Sequence, residues 1–225
     1  MKLTAIRYGT TLLNEDWIFT DGNPDKKYRI ALLFFLLEIN GKKYLADVGC
    51  DTMPGFELIE HTSPIKLLNG LGINGADVDG VILSHTHHDH IDGIRYYPNA
   101  TVYVHEREAD NVKKLAPDNK IITFSKEYKL ADNVVIKHIG GHSAGSCVVE
   151  LTTDKTVYVL CGDESYHKLC FSCKDRAKAG YSAERSAYFY TEYSKPRYTA
   201  ILFHDDDIVK GVGSRVLYCN SEEKL

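Results

Sequence analysis

The stretch Ser84–His90, SHTHHDH, places four histidines and one aspartate within seven residues. It follows the apolar run GVIL, which predicts a buried strand ending at this point. In an extended segment His85 and His87 point to the same side and can bind one ion, whereas Asp89 and His90 follow a turn and can face a second ion. Imidazole nitrogen and carboxylate oxygen are ligands that zinc and similar divalent ions accept. A solvated loop or a tag-like histidine tract is the alternative, which the inserted carboxylate disfavours.

Three further candidate ligands lie downstream, each directly after an apolar strand-like run. They are His142 in GGHSAGS, Asp163 in LCGDES and His204 in LFHDDD. A lone histidine at a strand end is more often a surface residue or a buried, hydrogen-bonded polar group. Because rigid strands can aim side chains from several loops at one point, three such residues in addition to the dense cluster favour a shared site.

Composition limits the other functional classes. The chain has 225 residues, 44% of them hydrophobic, and a net charge of −4, so a sizeable core is possible and a nucleic-acid partner is not favoured. The longest apolar run, Ile30–Ile39, is too short to cross a bilayer, and the N-terminus does not resemble a signal peptide. We therefore expect a cytoplasmic protein with no membrane partner. Its six cysteines, including the lone C-x-x-C of Cys170 and Cys173, are expected to be free thiols.

The pattern of short apolar runs predicts many strands, most of them antiparallel, with few helices between them. Hairpin turns are expected at Asn40–Tyr44 and Thr152–Thr156. Helices are expected at Glu106–Ala116, at Ser182–Ser194 with Ser182 as N-cap, and in a short piece at His90–Tyr97. This mixture indicates an α+β layered sandwich, two packed sheets covered by helices, in one domain spanning residues 1–225.

The joint pattern of these motifs resembles the metallo-β-lactamase-fold hydrolase superfamily. The pattern is H-x-H-x-D-H, then a histidine in a G-H-S-x-G turn, then G-D, then a last histidine near the C-terminus. The ADVG of Ala46–Gly49 is similar to the family's D-T-G turn, with Val48 in place of threonine. The resemblance covers nearly the whole chain and implies a four-layer αββα sandwich.

The resemblance also implies seven metal ligands in two sets that share one carboxylate. One set is His85, His87 and His142, the other is Asp89, His90 and His204, and Asp163 bridges both. The expected cofactors are two divalent ions, zinc in the first place, although iron, manganese and cobalt fit the same ligands. Two ions about 3.5–4 Å apart can share a water and lower its pKa, which gives a hydroxide nucleophile at cellular pH. We expect His88 to face away from the ions.

Within the superfamily the chain is most similar to the N-acyl homoserine lactonase group. True β-lactamases have cysteine where Asp163 stands. The lactonase group carries a tyrosine where Tyr166 stands, and its hydroxyl stabilises the oxygen of the substrate carbonyl. Asp89 is then also expected to pass a proton to the leaving alkoxide. A structural role is the alternative for Tyr166, since the chain has fifteen tyrosines.

We therefore expect a metal-dependent hydrolase acting on a small-molecule lactone or carboxylic ester. A thioester hydrolase, a phosphodiesterase or a non-catalytic metal-binding module on the same fold are the alternatives. Trp17 and Phe19 could line a pocket for an acyl chain, or could simply be core residues. The native substrate and the oligomeric state are left open by the sequence.

Overall fold

Two β-sheets form the centre of the molecule in a computed structural model, which describes residues 1–175 and 180–220. The strands, in chain order, are β1 (Lys2–Asn14), β2 (Lys27–Ile39), β3 (Lys42–Ala46), β4 (Leu58–Ile59), β5 (Gly80–Ile82), β6 (Thr101–His105), β7 (Ile121–Phe124), β8 (Glu127–Ala131), β9 (Val134–His138), β10 (Cys147–Thr152), β11 (Val157–Leu160), β12 (Tyr198–Ile201) and β13 (Gly213–Cys219). The larger sheet has the order β13-β1-β2-β3-β5-β6-β7, with β4 beside β1, and the smaller has the order β12-β11-β10-β9-β8.

Short helices lie outside the two sheets. They are α1 (Glu15–Ile18), α2 (Pro64–Gly70), α3 (His88–Ile91), α4 (Ala109–Leu115), α5 (Lys168–Cys173) and α6 (Ala183–Tyr193). In the part of the chain that the structure describes, no helix has the length and apolar character needed to cross a bilayer.

The packing of these elements makes four layers. Apolar residues of β1 and β2, such as Ala5 and Phe35, share one buried cluster with Val149 of the smaller sheet, so the two sheets pack face to face. The outer face of the larger sheet packs against α2 and α4, and the outer face of the smaller sheet packs against α6. The expected αββα sandwich is confirmed.

Several local predictions are confirmed as well. Asn40 and Gly41 both have positive φ, as a two-residue hairpin turn requires, and they join β2 to β3. The turn after Thr152 joins β10 to β11, and Ser182 caps α6 by accepting a hydrogen bond from the Arg185 backbone N–H. All six cysteines are free.

Seven of the eleven strand pairs in the described residues are antiparallel, as expected, and four are parallel. The neighbours β3, β5, β6 and β7 all pair in parallel, and so do β11 and β12. Elements α2, α5, β8 and β13 were not predicted, because they are short or half-exposed and therefore lack a clear apolar period.

Parallel pairing has a direct consequence for the candidate ligands. The ADVG turn follows β3 and the histidine cluster follows its parallel neighbour β5, so both emerge at one edge of the larger sheet. Asp163 follows β11 and His204 follows its parallel neighbour β12, so both emerge at one edge of the smaller sheet. The carboxyl ends of neighbouring parallel strands therefore bring together residues that are distant in sequence.

The layer formed by α6 gives a stability prediction. Phe189 is fully buried against the smaller sheet, with ring contacts to Tyr190 and Tyr193. We expect Phe189→Ala to lower the free energy of unfolding by about 3–5 kcal/mol, through lost burial and the cavity left behind. Chemical denaturation measures this change. Tyr188→Ala, on the exposed side of the same helix, should change the free energy of unfolding by about 0.5 kcal/mol or less. An equal loss of stability in both variants would contradict the packing described.

Candidate metal centre

The loops at these strand ends converge on one point beside the sandwich. Seven residues meet there in two groups, and within each group one donor atom per residue lies within 4.8 Å of the others. The groups are His85, His87, His142 and Asp163, and then Asp89, His90 and His204. The structure thus brings together all seven predicted ligands and divides them as the resemblance implied.

The carboxylate of Asp163 lies between the two groups. Its Oδ2 atom is 3.5 Å from His142 Nε2 and 3.8 Å from His85 Nε2. Its Oδ1 atom is 3.0 Å from His204 Nε2 and 3.1 Å from His90 Nε2. Each oxygen therefore faces one group, which is the arrangement that a carboxylate shared by two ions requires.

The buried polar atoms of the site test whether metal ions fit it. His85 Nε2, His90 Nε2 and Asp163 Oδ1 are buried and have no hydrogen-bond partner of acceptable geometry among the described residues. A buried polar atom left without a partner costs about 1–3 kcal/mol. Nitrogen and oxygen atoms that converge on one space fit a pair of divalent ions.

A hydrogen-bonded network orients two of the imidazoles from behind. His90 Nδ1 lies 2.6 Å from Asp47 Oδ2. The Ser84 hydroxyl donates to the same oxygen at 2.7 Å and lies 3.1 Å from His85 Nδ1. The other oxygen of Asp47 accepts the Ser84 backbone N–H at 2.7 Å. Partners at Nδ1 leave Nε2 of both rings turned towards the site, which is how proteins usually orient metal-binding histidines.

The remaining imidazoles are placed by other parts of the fold. His204 Nδ1 lies 2.8 Å from the carbonyl oxygen of Ala31 on β2. A strand of the larger sheet therefore orients a histidine that follows β12 of the smaller sheet. His142 Nε2 and His87 Nδ1 lie 2.9 Å apart. These two nitrogens converge on the space in front of Asp163 Oδ2.

The ionisation of the metal-free site follows from its burial and its charges. Burial lowers the pKa of His85 well below its usual value and that of His142 to about 4, so both are in the neutral form that binds metals. Burial also opposes the charge on Asp163, but His90 and His204 outweigh it and hold the Asp163 pKa well below its usual range. The bridging carboxylate is therefore ionised.

Tyr166 lies beside two of the candidate ligands, His204 and His142. Its ring centroid is 5.3 Å from that of His204 and 5.7 Å from that of His142. Burial raises the pKa of this hydroxyl well above its usual value, and Asp163 and Asp89 raise it further, so it stays protonated and can donate a hydrogen bond.

A cavity of about 260 Å³ opens in front of the metal-facing atoms. Part of its lining consists of Tyr166 and five of the candidate ligands: His87, Asp89, His142, Asp163 and His204. Another part is apolar and consists of Leu13, Trp17, Ile30, Met53, Pro54 and Phe56. Trp17 is 48% exposed and packs edge-on against Phe56 with ring centroids 5.4 Å apart, so it is a cavity wall and not a core residue. Phe19 packs instead against Tyr28 and a buried cluster, so the core alternative holds for Phe19.

His88 belongs to neither group of candidate ligands. Its side chain lines the cavity, and its Nε2 atom lies 2.7 Å from the carbonyl oxygen of Thr52. This contact ties the histidine motif to the loop that carries Met53, Pro54 and Phe56. A residue between two ligands can thus take part in the pocket without binding an ion.

Two buried glutamates near the site were not predicted from the sequence. Glu108 accepts hydrogen bonds from Thr86 and Ser143, and Glu164 accepts one from Ser146. Burial raises the pKa of Glu164 to about 7, although its hydrogen bonds act in the opposite direction. Glu164 is adjacent to Asp163 in sequence, but no sequence motif distinguishes it from an ordinary solvent-exposed glutamate.

Comparison with known proteins agrees with this geometry. The family model described as the metallo-beta-lactamase superfamily matches residues 33–175. The solved structure of a quorum-quenching N-acyl homoserine lactone hydrolase is similar with a TM-score of 0.81 at 21% identity, covering 93% of this chain and 94% of that one. A homoserine lactone hydrolase with N-hexanoyl-L-homoserine at its catalytic metal centre gives 0.79 at 20% identity, covering 92% and 94%. A dizinc quorum-quenching lactonase gives 0.72 at 16% identity, covering 97% and 95%.

The position of Asp163 gives a prediction on metal content. Because each of its oxygens faces one group, Asp163→Ala should reduce the bound metal from two ions per chain to one or fewer and abolish hydrolysis. Elemental analysis of the purified variant measures this. Asp110→Ala, on the exposed face of α4, should keep both ions, whereas two ions and full activity in Asp163→Ala would overturn the shared position of this carboxylate.

Proposed function

Because the chain belongs to the metallo-beta-lactamase superfamily, it is a metal-dependent hydrolase, and we propose that it hydrolyses a lactone or another carboxylic ester with an apolar acyl group. The observation that carries the proposal is the shared cavity. The Asp163 carboxylate between two sets of imidazoles, the Tyr166 hydroxyl and an apolar wall all face the same space.

The proposed ligands are the seven residues of the two groups, with Asp163 common to both ions. Divalent ions held there would supply Lewis acidity and lower the pKa of a water towards neutrality. Zinc is proposed because the ligands are imidazole and carboxylate and because one structural neighbour is a dizinc lactonase.

Within the chain, Tyr166 and Asp89 are proposed to act on the reacting atoms. As water oxygen bonds to the carbonyl carbon, negative charge develops on the carbonyl oxygen, and the protonated Tyr166 hydroxyl donates a hydrogen bond to it. Asp89 lines the cavity beside His90 and His204, at 3.6 and 3.8 Å. There it takes the proton released by the water and passes it to the alkoxide oxygen as the carbon–oxygen bond breaks.

The lining of the cavity favours a neutral substrate with an apolar chain. Among the described residues that line it, none is lysine or arginine. Phosphodiesters and thioesters of large anionic carriers are usually held by cations, so this lining disfavours both. The apolar wall around Trp17 and Phe56 suits an acyl chain, as in the neighbour that binds N-hexanoyl-L-homoserine.

A substrate panel tests the proposal. The zinc-loaded protein is assayed with N-acyl homoserine lactones of several chain lengths, simple aryl esters, an acyl thioester and a bis-aryl phosphodiester. We expect the largest kcat/KM for a lactone or ester. Faster turnover of the thioester or the phosphodiester would replace the proposed substrate class, and two bound ions with no turnover of any class would indicate a metal-binding module.

The Tyr166 hydroxyl gives the first kinetic prediction. Tyr166→Phe removes the donor to the carbonyl oxygen but leaves both groups of ligands in place, so we expect kcat to fall by roughly tenfold to a hundredfold with metal content unchanged. Steady-state kinetics with elemental analysis measure both. Tyr188→Phe, on the exposed face of α6, is the control, and an unchanged kcat in Tyr166→Phe would give Tyr166 a structural role.

The apolar wall gives a second kinetic prediction. Trp17→Ala removes a large part of the surface proposed to contact an acyl chain, so KM should rise by about tenfold for long-chain substrates, equivalent to about 1.4 kcal/mol. It should change little for short-chain ones. Leu169→Ala, an exposed apolar residue outside the cavity lining, is the matched control. Equal KM changes for substrates of all acyl-chain lengths would show that the acyl chain binds elsewhere.

A further inference from the structure

The turn that carries His142 is held by unusually close contacts on both sides. In this turn, residues 140–146, the glycines at 141 and 145 leave no room for a side chain. A Cβ atom on Gly141 would collide with the Glu164 carboxylate, and one on Gly145 would collide with the side chain of Glu108. The two glycines therefore let two buried glutamates approach the backbone on either side of His142.

Glu164 holds the turn from the side of the smaller sheet. Its Oε1 atom accepts the backbone N–H of Gly141 at 3.1 Å and that of His142 at 3.4 Å, together with the Ser146 hydroxyl. Glu164 directly follows Asp163 in a short 3₁₀ turn after β11. One short segment thus presents Asp163 to the metal-facing space and Glu164 to the loop of His142.

Glu108 holds the same turn from the side of the larger sheet. Its Oε1 atom accepts the Ser143 hydroxyl at 2.6 Å and the backbone N–H of Gly145 at 3.2 Å. Its Oε2 atom accepts the hydroxyl of Thr86, the residue between His85 and His87. Glu108 therefore links the two chain segments that supply all three histidines of the first group.

The second group is held by different contacts. His90 is oriented by Asp47 and His204 by the carbonyl of Ala31. The backbone carbonyl of Asp89 accepts the Tyr8 hydroxyl at 3.0 Å. None of the hydrogen bonds described for Glu108 or Glu164 reaches these residues, so the two glutamates act on one side of the site.

We infer that Glu108 and Glu164 form a carboxylate clamp that sets the metal affinity of the His85–His87–His142 group selectively. This inference rests on the proposed metal-dependent function. The clamp fixes the backbone on both sides of His142 and the spacing of His142 from His85 and His87. Ligands held in place before the ion arrives lose less conformational freedom on binding, so the clamped group binds its ion more tightly than a free loop would.

The experiment measures binding of cobalt(II) to the full-length protein in competition with a chromophoric chelator, without any substrate. His142→Ala and His204→Ala identify which absorption bands belong to each group. Glu108→Ala and Glu164→Ala should each lower the affinity of the first group for its ion by about tenfold or more. The affinity of the second group for its ion should change by no more than about twofold, because Asp47 and the Ala31 carbonyl orient His90 and His204.

Matched variants separate positioning from a general loss of structure. Glu164→Gln keeps an oxygen at the Oε1 position, where all three hydrogen bonds are accepted, and should restore nearly normal affinity. Glu150→Ala is the control, because Glu150 is equally buried but binds Tyr193 and Lys137 away from the site. If a clamp variant unfolds, Ser143→Ala and Ser146→Ala can be used instead, because each removes one clamp contact. Both should also lower the affinity of the first group for its ion.

The outcomes are distinct. Equal weakening of both groups, or unchanged affinity of the first group in folded clamp variants, would overturn the clamp. A wild-type protein that binds no cobalt would overturn the proposed metal-dependent function instead. Selective weakening with rescue by Glu164→Gln supports the inference.

Discussion

The structure depends on one arrangement, the Asp163 carboxylate with an imidazole group on each side. Five imidazoles and two carboxylates lie close together at the edge of a packed sandwich, several of them fully buried. Burial opposes protonation of His85 and His142, and two ring nitrogens, Nε2 of His85 and of His90, have no hydrogen-bond partner among the described residues. Such a set of polar atoms is unfavourable in a low-dielectric interior unless a cation binds to it. The geometry is therefore explained by the ions that it can hold.

The sequence was sufficient to predict the residues of this site because their chemistry is local. The spacing of His85, His87, Asp89 and His90 follows from a strand end and the turn after it. His142, Asp163 and His204 each follow an apolar strand, and they are recognisable as candidate ligands only in combination with the histidine cluster. The short apolar runs already indicated two packed sheets covered by helices, and the resemblance of the combined pattern implied the four-layer order. The parallel neighbours within each sheet were not predicted.

The contacts that hold the site could not be predicted, because they join residues far apart in the chain. Glu108 and Glu164 look like ordinary surface acids in the sequence, yet both are buried against the turn of His142. Asp47 occupies a left-handed conformation from which it reaches Ser84 and His90. His88 looked like a residue that only separates two ligands, but its ring contacts the carbonyl oxygen of Thr52 beside the cavity. Each position is decided by tertiary packing, which local propensity does not encode.

The most direct measurement of the central claim is a crystal structure of the full-length protein with anomalous data collected at metal absorption edges. The account predicts two peaks about 3.5–4 Å apart, one contacted by His85, His87 and His142 and the other by Asp89, His90 and His204, with one oxygen of Asp163 towards each. A single peak remote from Asp163, or ordered density with no anomalous signal between the two groups, would contradict it.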